Sequence, residues 1–169
     1  MAEIIKVYRE SLPVLRLIGK RYTDEDRGPD GGFSRKWGEW LEHGYFSSLE
    51  AMGSLPQSEG AYLGFMRCQA GFEYWIGMFF PKDTPVPDGY QYLDIAQGDI
   101  GTCWIYGRED TGELYGQKAH DMCISKIEEN GWYISENPWF LERYNCPRFT
   151  TPDDQGKVIL DYCVLLRDE

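Results

Sequence analysis

Two stretches of helical period, each flanked by strand-like segments in the same order, limit most strongly what this chain can fold into. In the first, Ser34 stands where it can cap a helix in which Trp37, Trp40, Leu41 and Tyr45 recur at helical spacing. In the second, Asp110 followed by Glu113 makes a loose capping box, and Tyr115, Ala119, Met122, Cys123 and Ile127 form one apolar stripe closed by Asn130-Gly131. β-rich segments at 4–9 and 13–22 precede the first helix, and a hairpin of 61–67 and 71–80 around Gln69-Ala70-Gly71 follows it. Strands are expected at 90–96 and 101–106 before the second helix, and at 138–145 and 157–166 after it. The Gly/Pro-rich stretches 23–32 and 53–60 read as loops, and Pro81, Pro85 and Pro87 with Asp88-Gly89 end the first unit. The expected class is α+β: two pseudo-symmetric β-α-β-β repeats building an antiparallel sheet, in one domain over residues 1–169.

The totals narrow the partners. A net charge of -11, from 28 acidic and 17 basic residues, argues against nucleic acid as a direct partner, because phosphate contacts need a basic face. It suits a solvated acidic surface, or a field that draws in cations. Five cysteines (Cys68, Cys103, Cys123, Cys146 and Cys163) are scattered without a C-x-x-C pair, which fits neither a zinc site nor a secreted disulfide framework. His43 and His120 lie on different expected helices with no ligand at metal-binding spacing, so neither a metal nor another cofactor is implied. No apolar run reaches the roughly 20 residues of a membrane span, and Met1–Tyr8 lacks a signal-peptide core. The expectation is a soluble, cytoplasmic protein with no membrane partner.

Two aromatic segments each carry one carboxylate: Phe72-Glu73-Tyr74-Trp75 and Trp139-Phe140-Leu141-Glu142-Arg143-Tyr144. Rings offer flat apolar area and an electron-rich face, and an acid held among them attracts a cation or moves a proton. Along 72–80, alternation sets Phe72, Tyr74, Ile76, Met78 and Phe80 on one face, expected to be helix-facing core. Glu73, Trp75, Gly77 and Phe79 fall on the other, which looks more like a ligand surface. Trp104 and Tyr106 share one face of their strand. For each tryptophan, ordinary core packing stands beside ligand contact. Trp37, Trp40 and Tyr45 are expected to anchor their helix to the sheet, with one of the tryptophans reaching over the pocket mouth as the alternative. The ligand-binding set is then Glu142, Trp75, Trp104, Tyr106, Tyr144 and Trp139, with Glu142 instead on the solvent face, paired with Arg143 or Arg148, as the plainer alternative.

The order of motifs resembles the GyrI-like effector-binding domain family. The matching segments are Phe72-Glu73-Tyr74-Trp75-Ile76-Gly77, Pro87-Asp88-Gly89, Gly101-Thr102-Cys103-Trp104-Ile105-Tyr106, Asn130-Gly131-Trp132, Phe140-Leu141-Glu142-Arg143-Tyr144 and the closing Leu160–Leu166. The chain departs from the family pattern at Leu165, where a proline is usual, at Asp161, a shorter acid, and at Cys103-Trp104 in place of smaller positions. The resemblance implies a central ligand groove and places Glu142 at its base. It also implies a stand-alone version, since no helix-turn-helix precedes the matching region.

Three functions follow from the resemblance. The leading one is binding of lipophilic, aromatic or cationic small molecules, as in multidrug sensing or sequestration. The alternative is a hydrolase that opens electrophilic cyclopropane-type DNA alkylators, with Glu142 handling a water and Tyr106 donating to the developing oxyanion. A protein partner, gyrase or a regulator, is the third. The sequence fixes neither the natural ligand nor the oligomeric state.

Overall fold

The computed structural model describes residues 1–29, 31–53, 61–144 and 147–167. Most of the loop expected at 53–60, and Cys146, lie outside these. Eight strands form one antiparallel sheet: β1 (Glu3–Leu12), β2 (Leu15–Thr23), β3 (Tyr62–Cys68), β4 (Phe72–Pro81), β5 (Gln91–Ile95), β6 (Gly98–Gly107), β7 (Phe140–Tyr144) and β8 (Val158–Leu165). The helices are α1 (Ser34–Glu42), α2 (Tyr45–Glu50), α3 (Gln117–Glu129) and α4 (Pro147–Thr150). This is the α+β class expected from the sequence. No helix among the described residues is long and apolar enough to cross a membrane.

Sheet order is β1-β6-β8-β7-β3-β4-β2-β5. The central seam is β3 against β7, one strand from each repeat. The outer strands are exchanged: β1 pairs with β6 of the second repeat, and β5 with β2 of the first. By this order β4 corresponds to β8, and β7 to β3. The two aromatic segments are therefore not equivalent strands.

Both faces of the sheet are apolar, and each carries its own core. On the helix face, α1 and α2 cover Ile18, Tyr74, Ile76, Met78 and Phe80. Trp40, wholly buried, donates its indole N–H to the Tyr22 hydroxyl at 2.9 Å. On the same face α3 covers Cys103, Ile105, Leu160, Tyr162 and Val164 with Ala119, Cys123 and Ile127. Among the described residues, the core of the opposite face contains none from a helix. It joins Leu15, Leu17, Phe65, Trp75, Ile95, Ile100 and Leu141, so residues far apart in the sheet order meet because the sheet curls over.

Two local expectations need correction. The first helical stripe is broken at Gly44, whose φ of 69° turns the chain before Tyr45 opens α2. The second helix starts not at the Asp110/Glu113 box but after Gly116. Asp110 instead takes two hydrogen bonds from the Arg108 guanidinium, and Glu113 accepts one from Thr111, so both are spent within the turn.

Candidate ligand cavity

The two helix layers leave the central seam uncovered, and a cavity of about 710 Å³ opens there. Strand alternation sets its floor: Tyr62 and Met66 of β3, Tyr74 of β4, and Glu142 and Tyr144 of β7 all point to the helix face. Phe33, Trp37 and Leu41 wall it from the α1 side, Glu109 and Tyr115 from the turn before α3, and Phe149 from α4. Among these lining residues there are two carboxylates and no lysine, arginine or histidine.

Glu142 sits at the centre of the seam, in register with Gly64 on one side and Tyr162 on the other. The glycine is required. A Cβ at position 64 would stand 2.6 Å from the Tyr74 hydroxyl and 3.2 Å from Glu142 Oε1. Tyr74 and Glu142 thus converge on the space that a side chain at 64 would fill. Tyr74 is pinned there: its hydroxyl accepts the Trp37 indole N–H at 2.9 Å, and its ring stacks on Phe33 with centroids 4.3 Å apart. Tyr144 packs edge-on against Trp37 at 4.9 Å and against Phe149 at 5.0 Å. Tyr62 stacks on Phe46 at 3.8 Å and donates its hydroxyl to Glu50.

The electrostatics follow from that packing. Burial pushes the Glu142 carboxyl up to about 7, against the pull of a hydrogen bond with Tyr144. Tyr74 and Tyr144 are held well above the ordinary phenol range, first by burial and then by the nearby Glu142 charge. Tyr115 is raised by burial, then by the charges of Glu109 and Glu142, which line the same cavity. The site thus combines a carboxyl that titrates near neutrality with phenols that stay protonated.

Of the residues singled out from sequence, Glu142 and Tyr144 line this cavity, while Trp75, Trp139, Trp104 and Tyr106 stand on the other face. The face of 72–80 that carries Glu73, Trp75, Gly77 and Phe79 thus lies opposite the cavity, whose floor takes Tyr74. Trp75 is buried in the helix-free core and donates its indole N–H to Glu73 at 2.8 Å. The space expected beside Gly77 is filled by backbone: a Cβ there would meet the Ile18 carbonyl oxygen at 2.3 Å, because Gly77 and Gly19 face each other where β2 and β4 approach. Trp139 stacks on Phe65 at 4.7 Å with the Arg67 guanidinium over its ring. Trp104 donates to the Tyr8 hydroxyl at 3.2 Å beneath the Lys6 ammonium, and Tyr106 donates to Asp153.

The arginines named as alternative partners for Glu142 also belong to that other face. Arg143 donates to Asp161 at 2.9 Å and to Glu10 at 2.5 Å, and Arg148 donates to Asp161 at 2.7 Å. Asp161 is 1% exposed, so this network neutralises a buried charge. Trp37 is the helix tryptophan that reaches the cavity; the lining residues that the sequence reading does not name as such are Tyr62, Tyr74, Tyr115 and Phe149. A phenol on an otherwise apolar strand face, which must find a partner for its hydroxyl, and a glycine inside strand β3 were the available signals.

No family model matches the sequence, and neither does any curated relative. Solved structures do. A Staphylococcus aureus MU50 protein, described as a candidate bacterial transcription regulation protein, matches with TM-score 0.67 at 16% identity, over 97% of this chain and 99% of that one. SAV2435 bound to tetraphenylphosphonium matches with TM-score 0.67 at 13% identity, over 96% of this chain and 94% of its own. EcmrR, in a complex with DNA, matches with TM-score 0.56 at 14% identity, over 97% of this chain and 58% of that one. At these identities the likeness is one of fold.

Proposed function

We propose that the chain is a GyrI-like effector-binding domain whose cavity takes lipophilic cations, in the manner of a multidrug sensor or sequestering protein. The observation that carries this is the wall: aromatic rings around a half-buried acid, with no basic side chain among the described lining residues to neutralise it. Ring stacking and cation–π contacts contribute roughly 0.5–2 kcal/mol each. Several together with Glu142 suit micromolar affinity, which corresponds to about 8 kcal/mol. That a neighbour of the same fold holds tetraphenylphosphonium supports the ligand class. Calorimetric titration with tetraphenylphosphonium tests it. Saturable binding weakened by Glu142→Gln is expected, and no binding at any concentration up to its solubility would sink the reading.

The hydrolase reading keeps one observation in its favour. Glu142, raised to about 7, stands beside phenols that can donate to a developing oxyanion. Tyr106 is not among those phenols, so Tyr74 or Tyr115 would act in its place. Loss of a cyclopropane alkylator on incubation with the protein, abolished in Glu142→Gln, would establish turnover; persistence of the compound would leave binding alone.

A further inference from the structure

The placement of Glu142 bears on how the cavity admits a charge, and the inference rests on the reading of the cavity as a cation site. The titratable groups around the carboxyl can be named element by element. Tyr144 flanks it on β7 and is its hydrogen-bond partner, Tyr74 approaches from β4 across Gly64, and Tyr62 of β3 lines the same floor with its hydroxyl given to Glu50. Tyr115 and Glu109 face it from the turn before α3. Tyr162 lies opposite on β8, with its hydroxyl 2.6 Å from His120 Nδ1 of α3, and the buried thiol of Cys123 lies behind. The lining residues that α1 and α4 supply, Ser34, Trp37, Leu41, Phe149 and Thr150, carry no ionisable side chain. Arg143 and Arg148 are engaged with Asp161 on the far face. Nothing in this ring offers the carboxylate a positive charge; the neighbours are phenols, a thiol and a second acid, with one histidine held behind Tyr162.

We propose that ligand capture in this cavity is the exchange of one proton for one cation. In the ligand-free protein below neutral pH the Glu142 carboxyl carries a proton. When a cation seats over the floor, the carboxyl O–H bond breaks, its electron pair stays on the carboxylate oxygen, and the proton passes to the solvent buffer. The cation takes the place of the proton, and the charge of the cavity is unchanged by the exchange. The Tyr144 hydroxyl is a positioning group: its hydrogen bond favours the ionised form and lowers the cost of the exchange. A midpoint near 7 puts the competition at neutral pH, so affinity for a permanent cation rises about tenfold per pH unit below neutrality and levels off above it.

Tetraphenylphosphonium has no proton of its own to lose, so it is the probe. Titrations of the full chain in two buffers of different protonation enthalpy, at about pH 6, 7 and 8.5, count the protons released. Close to one proton is expected at pH 6, about half at pH 7 and almost none at pH 8.5. Glu142→Gln should still bind while releasing none. Tyr144→Phe should move the release curve to higher pH, a readout available even if the Gln variant does not fold. Binding with no proton release at pH 6 and a pH-independent affinity would overturn the exchange and leave the cation site standing. Release that persists in Glu142→Gln, or a curve unmoved by Tyr144→Phe, would also overturn it. No binding at any pH would remove both the exchange and the site.

Discussion

Gly64→Ala tests the geometry of the cavity floor directly. The added methyl would lie 2.6 Å from the Tyr74 hydroxyl, closer than any settled contact, so something must move. Tyr74 does not move cheaply, since the Trp37 hydrogen bond and the Phe33 stack hold it. Overpacking of this kind costs about 1–3 kcal/mol. Replacing a mid-strand glycine by alanine returns roughly 0.5–1 kcal/mol. Because Tyr74 is held, the upper part of the overpacking range applies, and the net expectation is a loss of about 1–2.5 kcal/mol, or roughly 2–10 °C in melting temperature for a chain of this size. Tetraphenylphosphonium affinity should fall by about tenfold, because whichever of Tyr74 or Glu142 shifts, the floor is no longer the one described. A double-mutant cycle isolates the cause. In a Tyr74→Phe background the hydroxyl is gone, and Gly64→Ala should cost markedly less than in the parent. A single variant that melts within a degree of the parent and binds as well would refute the reasoning, as would equal costs in the two backgrounds.

Other outcomes follow from the same contacts. Because burial raises the Glu142 carboxyl to about 7, its contribution to stability is fully present below the ordinary carboxyl range and is lost as pH rises through 7. Glu142→Gln should therefore melt higher than the parent at about pH 8, by up to roughly 3 kcal/mol, and nearly with it at about pH 4; equal shifts at both would contradict this. Trp37→Phe removes a cavity wall and the donor to Tyr74, and should weaken tetraphenylphosphonium binding by about three- to tenfold, whereas Trp75→Phe should lower the melting temperature without changing affinity. Asp161→Ala leaves Arg143 with Glu10 and takes one carboxylate from Arg148, and should cost about 1–3 kcal/mol in urea unfolding; a loss under about 0.5 kcal/mol would show the network to be solvated.

The order of strands and helices was legible because each element carries its own period, and the turns carry Gly, Pro and Asn. Strand alternation also put Trp104 and Tyr106 together correctly. It also put Phe72, Tyr74, Ile76, Met78 and Phe80 on the helix side, but it could not say which side opens into a cavity, because both sides are apolar and a period of two is silent on sidedness. The decisive facts are non-local. Gly77 looked like room for a ligand until β2 laid Gly19 against it. Arg143 and Arg148 looked like partners for Glu142 until the strand parity sent Arg143 to Asp161 and Glu10. Glu142 was found because the family resemblance pointed to it; its Tyr74 neighbour, from a different hairpin, came into view only with the β3–β7 seam.

The exchange of β1 and β5 has a consequence for the protein's integrity. Each repeat lends its first strand to the sheet of the other, as two protomers do in a domain-swapped pair, yet here within one chain. Cutting the chain at Asp88-Gly89 would give two fragments, each missing an edge and each holding a strand fitted to its counterpart. Neither fragment carries the whole cavity, since its floor is split between β3 and β7. The fragments can recover ligand binding only by clasping each other, which makes the cavity a reporter of their reunion.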